Sequence, residues 1–180
     1  MTEISSNPNA LNQFDNTKIV NAAKLLADAK VNAIAWNGTS AGWLGFDADR
    51  TLCKEVKEAT GVETTTSVLT LAEIFKLKKI TKFGLVTPYL DDIQNKIIQN
   101  FKKEGFDCIA EQHLGDKGNF SFSDYEPETI KQMVREVAKS KPEAITIFCT
   151  NFRGGEVVDE LEQELNIPIY DTVNITAWKC

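Results

Sequence analysis

The sequence predicts an α/β domain built on parallel strands, and three observations carry that reading. Short apolar, β-branched runs alternate with longer stretches of helical periodicity. The runs do not alternate strictly between apolar and polar residues, as a half-exposed antiparallel sheet would require. Glycines stand where helices should close, Gly61 after Thr60 and Gly105 after Glu104. With 180 residues, 42% hydrophobic and 26% charged, the chain can bury one core of this kind or two small lobes.

Residues 1–14 are polar and read as an arm or loop. From Asn16 to Lys30, Ile19, Val20, Ala23, Leu25, Leu26 and Ala29 recur at helical spacing. Val31–Trp36 is a short apolar strand ending at a loop, Asn37-Gly38-Thr39-Ser40. Asp47–Thr60 reads as a helix with an acidic first turn, closed by Gly61. Val62–Ser67 is β-branched and strand-like, and Val68–Lys79 is a helix. Lys82–Thr87 is a strand, Pro88–Glu104 a long helix and Phe106–Gln112 a further strand. A loop over 114–127 leads to a helix at Glu128–Ser140, a buried strand at Ala144–Cys149 and an amphipathic helix at Gly155–Leu165. Ile167–Tyr170 is the last strand, and a new helix opens near Thr176.

Lys and Arg total 20 against 26 Asp and Glu, a net charge of −6, which argues against a nucleic-acid groove or a polybasic membrane patch. No apolar run approaches the ~18 residues of a membrane-spanning helix. The opening MTEISSNPNALNQF lacks the basic-then-apolar order of a signal peptide, so a cytoplasmic location is expected. Cys53, Cys108, Cys149 and Cys180 are then expected as free thiols. They are widely spaced, with His113 the sole histidine, so no metal site is expected. Neither Gly-x-Gly-x-x-Gly nor a P-loop occurs, leaving nucleotide binding of those kinds without support.

One internal echo bears on function. Residues 32–42, NAIAWNGTSAG, can be laid over residues 143–153, EAITIFCTNFR, with Gly38 opposite Cys149. Both triplets, Gly38-Thr39-Ser40 and Cys149-Thr150-Asn151, fall at C-terminal strand ends, where parallel sheets bind ligands. A strand precedes the second triplet near Lys82; its counterpart in the first half would fall before Met1. Either the halves are unequal or some N-terminal residues of an ancestral layout are missing.

A cysteine at a strand end is a candidate acid, base or nucleophile, and neighbouring hydroxyl, amide and backbone N–H groups can hold a carboxylate or an enediolate. Tyr89, just past Thr87-Pro88, offers a phenolic donor or simple packing. Thr39 and Ser40 fit as ligands or as helix caps. Arg153 fits a substrate carboxylate or a surface ion pair. His113 reads as solvent-facing or locally hydrogen-bonded, and Asp91 and Asp92 as first-turn residues of their helix.

Three segments, GTSAGWLG at 38–45, GLVTPYLDDIQNKI at 84–97 and CTNFRG at 149–154, carry a likeness that runs from about Asn16 to Trp178. Through them the sequence resembles the aspartate/glutamate racemase superfamily, on the branch of maleate cis–trans isomerase and arylmalonate decarboxylase. The resemblance implies two pseudo-symmetric, Rossmann-like lobes with the site between them, and no metal or organic cofactor. It divides the chain into an incomplete first lobe at 1–80, a second lobe at 81–171, and a C-terminal helix at 172–180 returning to the first. Racemases and the isomerase use one cysteine from each lobe. Cys149 matches the second, whereas Gly38 stands in place of the first, which is the decarboxylase arrangement. Tyr89, Thr39 and Ser40 match groups that bind the retained carboxylate. Thr150-Asn151 depart from the decarboxylase's pair of glycines.

With glycine at position 38 one face of the substrate lacks a proton-transfer group, so two-base racemisation is disfavoured. Decarboxylation needs a single proton delivery, from Cys149. The departing carboxylate would face an apolar wall, for which Trp43, Leu44 and Phe152 are the candidates. The reading is a cofactor-independent decarboxylase of a small, substituted malonate-like dicarboxylate. Isomerisation of a maleate-like substrate led by a Cys149 thiolate, or racemisation with Cys149 as acid-base, is the alternative. A non-catalytic, shortened homologue or binding protein is the third reading; a Cys149 thiol no more acidic than about 8.5 would favour it. A sheet edge left open by a missing strand would call for a covering partner, such as a second copy of the chain.

Overall fold

The computed structural model describes residues 15–180, so the polar arm expected over 1–14 lies outside the described residues. Among the described residues every strand pairing is parallel, and the strands form two sheets. Helix α1 (Asn16–Asp28), N-capped by Asp15, leads to β1 (Ala33–Trp36). A short helix α2 (Ala41–Leu44) and the longer α3 (Phe46–Thr60) then return the chain to β2 (Glu63–Thr66), which pairs with β1. Gly61 closes α3 at φ 73°, a left-handed conformation that glycine adopts without penalty. Helix α4 (Ser67–Lys78) is N-capped by the Thr66 side chain.

The second sheet has strand order β4-β3-β5-β6, formed by β3 (Lys82–Thr87), β4 (Asp107–His113), β5 (Ala144–Ile147) and β6 (Ile169–Asp171). Helix α5 (Asp91–Lys103) connects β3 to β4, and α6 (Pro127–Ala138) connects β4 to β5. Helix α7 (Val158–Leu165) leads to β6, and α8 (Thr172–Lys179) ends the fold. The main core gathers aromatic side chains between β3, α4 and α5: Phe75, Phe83, Phe101 and Phe106 pack at ring separations of 5.1–6.4 Å. A smaller cluster of Ala23, Ile34, Leu52 and Val56 holds α1 and α3 on β1. Helix α8 reaches back to α4, where Thr176 Oγ1 donates to Ser67 Oγ at 2.8 Å and Lys179 pairs with Glu73.

Several boundaries differ from the sequence expectation, four of them for a local reason that bears on the site. Helix α5 starts at Asp91 rather than Pro88, because Tyr89 and Leu90 stay outside the helix, with Leu90 extended at its N-cap. Strand β5 stops at Ile147, leaving Cys149 in the loop beyond it. The expected helix at Gly155 divides into a 3₁₀ turn at Gly154–Glu156 and α7. Helix α8 opens at Thr172, earlier than Thr176, because the Asp171 carboxylate accepts from the backbone N–H groups of Val173 and Asn174.

Candidate active site

The two triplets meet in one cavity of about 270 Å³. Gly38, Thr39 and Ser40 enter from the loop after β1, Tyr89 from the loop after β3, and Cys149, Thr150 and Asn151 from the loop after β5. All three loops leave C-terminal strand ends, where the strands' directions bring them together. Trp43, on α2, forms part of the wall. Of the other two expected wall residues, Leu44 is exposed, and Phe152 lines a second cavity behind Cys149.

Gly38 has a local steric reason. A Cβ there would lie 2.6 Å from Trp36 Nε1 and 2.8 Å from Cε2, so the indole occupies the space that a side chain would need. Ser40 stands at the N-cap of α2 yet makes no cap hydrogen bond, which leaves its hydroxyl for the cavity. Thr39 Oγ1 and Tyr89 Oη are 2.8 Å apart and both side chains are buried.

Tyr89 is held from several sides. Its N–H donates to Thr87 Oγ1 at 3.3 Å, and Thr87 Oγ1 in turn donates to Gln94 Oε1 at 2.7 Å. Its ring packs edge-on against Trp43 and Phe122, with centroids 5.3 and 5.5 Å away. Burial pushes the phenol well above its ordinary pKa, and the neighbouring Cys149 adds to that effect. Tyr89 is therefore a neutral donor at physiological pH.

Cys149 is buried, and that burial pushes its thiol up to about 11. Hydrogen bonds from Tyr89 and from the backbone N–H groups of Asn151 and Phe152 pull in the opposite direction, while the Asp171 charge adds to the rise. Desolvation wins, so Sγ carries its proton near neutrality.

Three further residues line the cavity without having been singled out in the sequence: Trp36, Asn37 and Asn119. Trp36 and Asn37 adjoin the first triplet, so its position already pointed to them. Asn119 gave no signal, because it lies in the irregular stretch between β4 and α6. That stretch is tied to the Tyr89 loop by Gly115 N–H to Tyr89 O and Asp116 N–H to Pro88 O, at 3.1 and 2.9 Å. Asn151 then donates from its side-chain amide to the Asn119 carbonyl.

Arg153 forms an ion pair with Glu156 and does not line this cavity. His113 bridges Asp91 and Glu111 at 2.8 Å each, away from the site. Burial lowers the pKa of its ring, but the two carboxylates outweigh it and raise the value. The four cysteines are free thiols, and no helix among the described residues is long and apolar enough to cross a membrane.

Two parallel sheets with their strand-end loops converging on one cysteine define an α/β fold that the chain shares with solved arylmalonate decarboxylase and maleate isomerase structures. More closely, the family model of arylmalonate decarboxylase matches residues 8–180, and the chain belongs to that family. Similar solved structures include a glycine-to-cysteine, cysteine-to-serine double mutant of arylmalonate decarboxylase in liganded form, with a TM-score of 0.89 at 17% identity, covering 98% of this chain and 75% of that one. A cysteine-to-serine mutant of the Nocardia farcinica maleate cis–trans isomerase with a covalently bound succinylcysteine intermediate gives 0.90 at 19% identity, covering 99% and 75%. The maleate isomerase of Pseudomonas putida S16 gives 0.89 at 15%, covering 99% and 74%. No curated protein sequence matches significantly.

Proposed function

We propose that the protein is a cofactor-independent decarboxylase of a small, substituted malonate-like dicarboxylate. The observation that carries this reading is a single protonated thiol, Cys149, in the same cavity as a hydroxyl pair, Thr39 and Tyr89, with glycine at the opposing position 38. One carboxylate of the substrate would be held by the Thr39, Ser40 and Tyr89 hydroxyls and by the backbone N–H of Thr150. The other would leave as carbon dioxide beside Trp43. The electron pair of the broken C–C bond passes into an enediolate on the retained carboxyl group. Neutral hydroxyl donors stabilise that charge where it develops. Cys149 Sγ then gives its proton to the α-carbon.

The raised thiol pKa bears on the other readings. Counted alone, an unactivated cysteine favours a non-catalytic relative. A general acid, however, must be protonated before it acts, and burial supplies that form. Isomerisation of a maleate-like substrate needs a thiolate instead. The backbone N–H groups of Asn151 and Phe152 directed at Cys149 favour a thiolate and keep that reading second.

The test is incubation with substituted malonates in deuterated water. Carbon dioxide release with one deuterium at the α-carbon, lost in Cys149→Ser, is expected. Conversion of maleate to fumarate without carbon dioxide release would replace the proposal with the isomerase, and inertness toward both would support the non-catalytic relative.

A further inference from the structure

Cys149 faces two cavities. Behind the front one lies a second, also of about 270 Å³, lined by Cys149, Arg153, Gly154, Glu156, Asp171 and Asn174, among others. Asp171 is the C-terminal residue of β6 and pairs in register with Ile147, two residues before Cys149 on the adjacent strand. Its side chain is 3% exposed. Oδ1 accepts both N-cap bonds of α8, whereas no hydrogen bond engages Oδ2 among the described residues. Oδ2 lies 2.7 Å from where a Cβ at Gly154 would stand, so the glycine leaves that oxygen open toward the rear cavity. Arg153 is paired with Glu156, and Asp171 has no cationic partner among the described residues. Burial raises the Asp171 pKa, against the two cap hydrogen bonds.

We infer that Asp171 is the proton partner of Cys149, relaying a proton from solvent through the rear cavity to the thiolate left after each turnover. The inference rests on the proposed function. In that reaction the Sγ–H bond breaks, the α-carbon gains the proton and sulfur keeps the electron pair. The Asp171 carboxylate then takes a proton from bulk water through the rear cavity and passes it to Sγ by way of water there, returning to the carboxylate. A route behind the thiol is needed because the front cavity still holds the carboxylate product. The cavity is large enough for water, and although much of its wall is apolar, Thr150, Arg153, Glu156, Asp171 and Asn174 border it and offer bridging water its polar partners. The charged residues lining the two cavities are Arg153, Glu156 and Asp171, and the remaining titratable neighbour is Tyr89. Asp171 thus acts on the substrate only through Cys149 and is a positioning and relay residue.

Asn and Ser both serve as N-caps, so Asp171→Asn and Asp171→Ser retain the start of α8 while removing the ionisable group; thermal melts verify folding. The first readout needs no substrate: the pH profile of iodoacetamide alkylation at Cys149, followed by peptide mass spectrometry. Removal of the Asp171 charge is expected to shift the profile to lower pH, and superimposable profiles for wild type and both variants would overturn the pairing. The second readout is turnover. With enzyme in excess, the first turnover in either variant should stay within about twofold of wild type, because the thiol starts protonated. Steady-state kcat should fall about tenfold or more, and formate should restore it in Asp171→Ser. Equal losses in both phases without rescue, or an unchanged kcat, would overturn the relay. A wild-type enzyme that releases no carbon dioxide defeats the decarboxylase reading and the relay with it, and the alkylation profile alone then decides whether Asp171 and Cys149 are coupled.

Discussion

Thr39 Oγ1 and Tyr89 Oη are joined by a 2.8 Å hydrogen bond between loops that follow strands of two different sheets. The two hydroxyls are buried and neutral, a preorganised pair suited to charge that develops on an incoming carboxylate. Tyr89→Phe keeps the ring contacts to Trp43 and Phe122 and deletes only the donor. Its kcat on the best substituted malonate should fall about 10²–10³-fold, while stability in denaturant changes by about 1 kcal/mol. Activity within threefold of wild type would remove Tyr89 from the donor set.

The protonation state of Cys149 makes a signed prediction. Its pKa of about 11, set chiefly by burial, keeps the thiol neutral across the physiological range. A thiol acting as the proton donor should therefore give a decarboxylation rate that is level on the alkaline side of neutrality and declines only as pH approaches that value. Alkylation follows the opposite course, rising about tenfold per pH unit over the same range. Cys149→Ala should lower kcat by about 10²–10⁴-fold. A rate that rises with pH alongside alkylation would mean that the thiolate does the chemistry.

Gly38 predicts a steric effect. Gly38→Ala places a methyl 2.6 Å from Trp36 Nε1, so the indole, which lines the cavity, must shift. Overpacking of this kind costs about 1–3 kcal/mol, and the displaced indole enters the substrate's space. A rise in KM of about tenfold together with a lower melting temperature is expected. An unaltered KM would place the substrate away from this wall.

How much of this was legible in the sequence depended on whether a feature was local. The long helices and the strands emerged from spacing, because α3, α5 and α6 each bury one periodic face. The triplets at Gly38 and Cys149 could be placed because parallel topology sends C-terminal strand ends to one side. Helix α2 was missed because four residues are too few to show a period. The reach of Asn119 was hidden because it depends on the Gly115 and Asp116 hydrogen bonds to another loop. Leu44 read as a wall residue from its neighbour Trp43, but adjacent helical residues point in directions about 100° apart, and Leu44 faces solvent. Asp171 gave no functional signal, since the meaning of a strand-terminal acid comes from the neighbouring strand.

Asp49 supplies a prediction about stability rather than catalysis. It is a buried carboxyl on α3 whose pKa burial raises to about 6, against the hydrogen bond from Thr66, and its Oδ2 has no hydrogen-bond partner. The unfolded chain holds the same proton with an ordinary value near 4. Between about pH 4 and pH 6 the folded state therefore binds more protons than the unfolded state, and stability falls as pH rises through that window. The Asp49 contribution is fully present below pH 4 and is lost above pH 6. Asp49→Asn removes the titration. Relative to that variant, the wild type should lose about 2–3 kcal/mol of unfolding free energy between pH 4 and pH 7. Urea melts of both proteins at several pH values measure the difference, and parallel curves would show that Asp49 stays ionised in the folded protein.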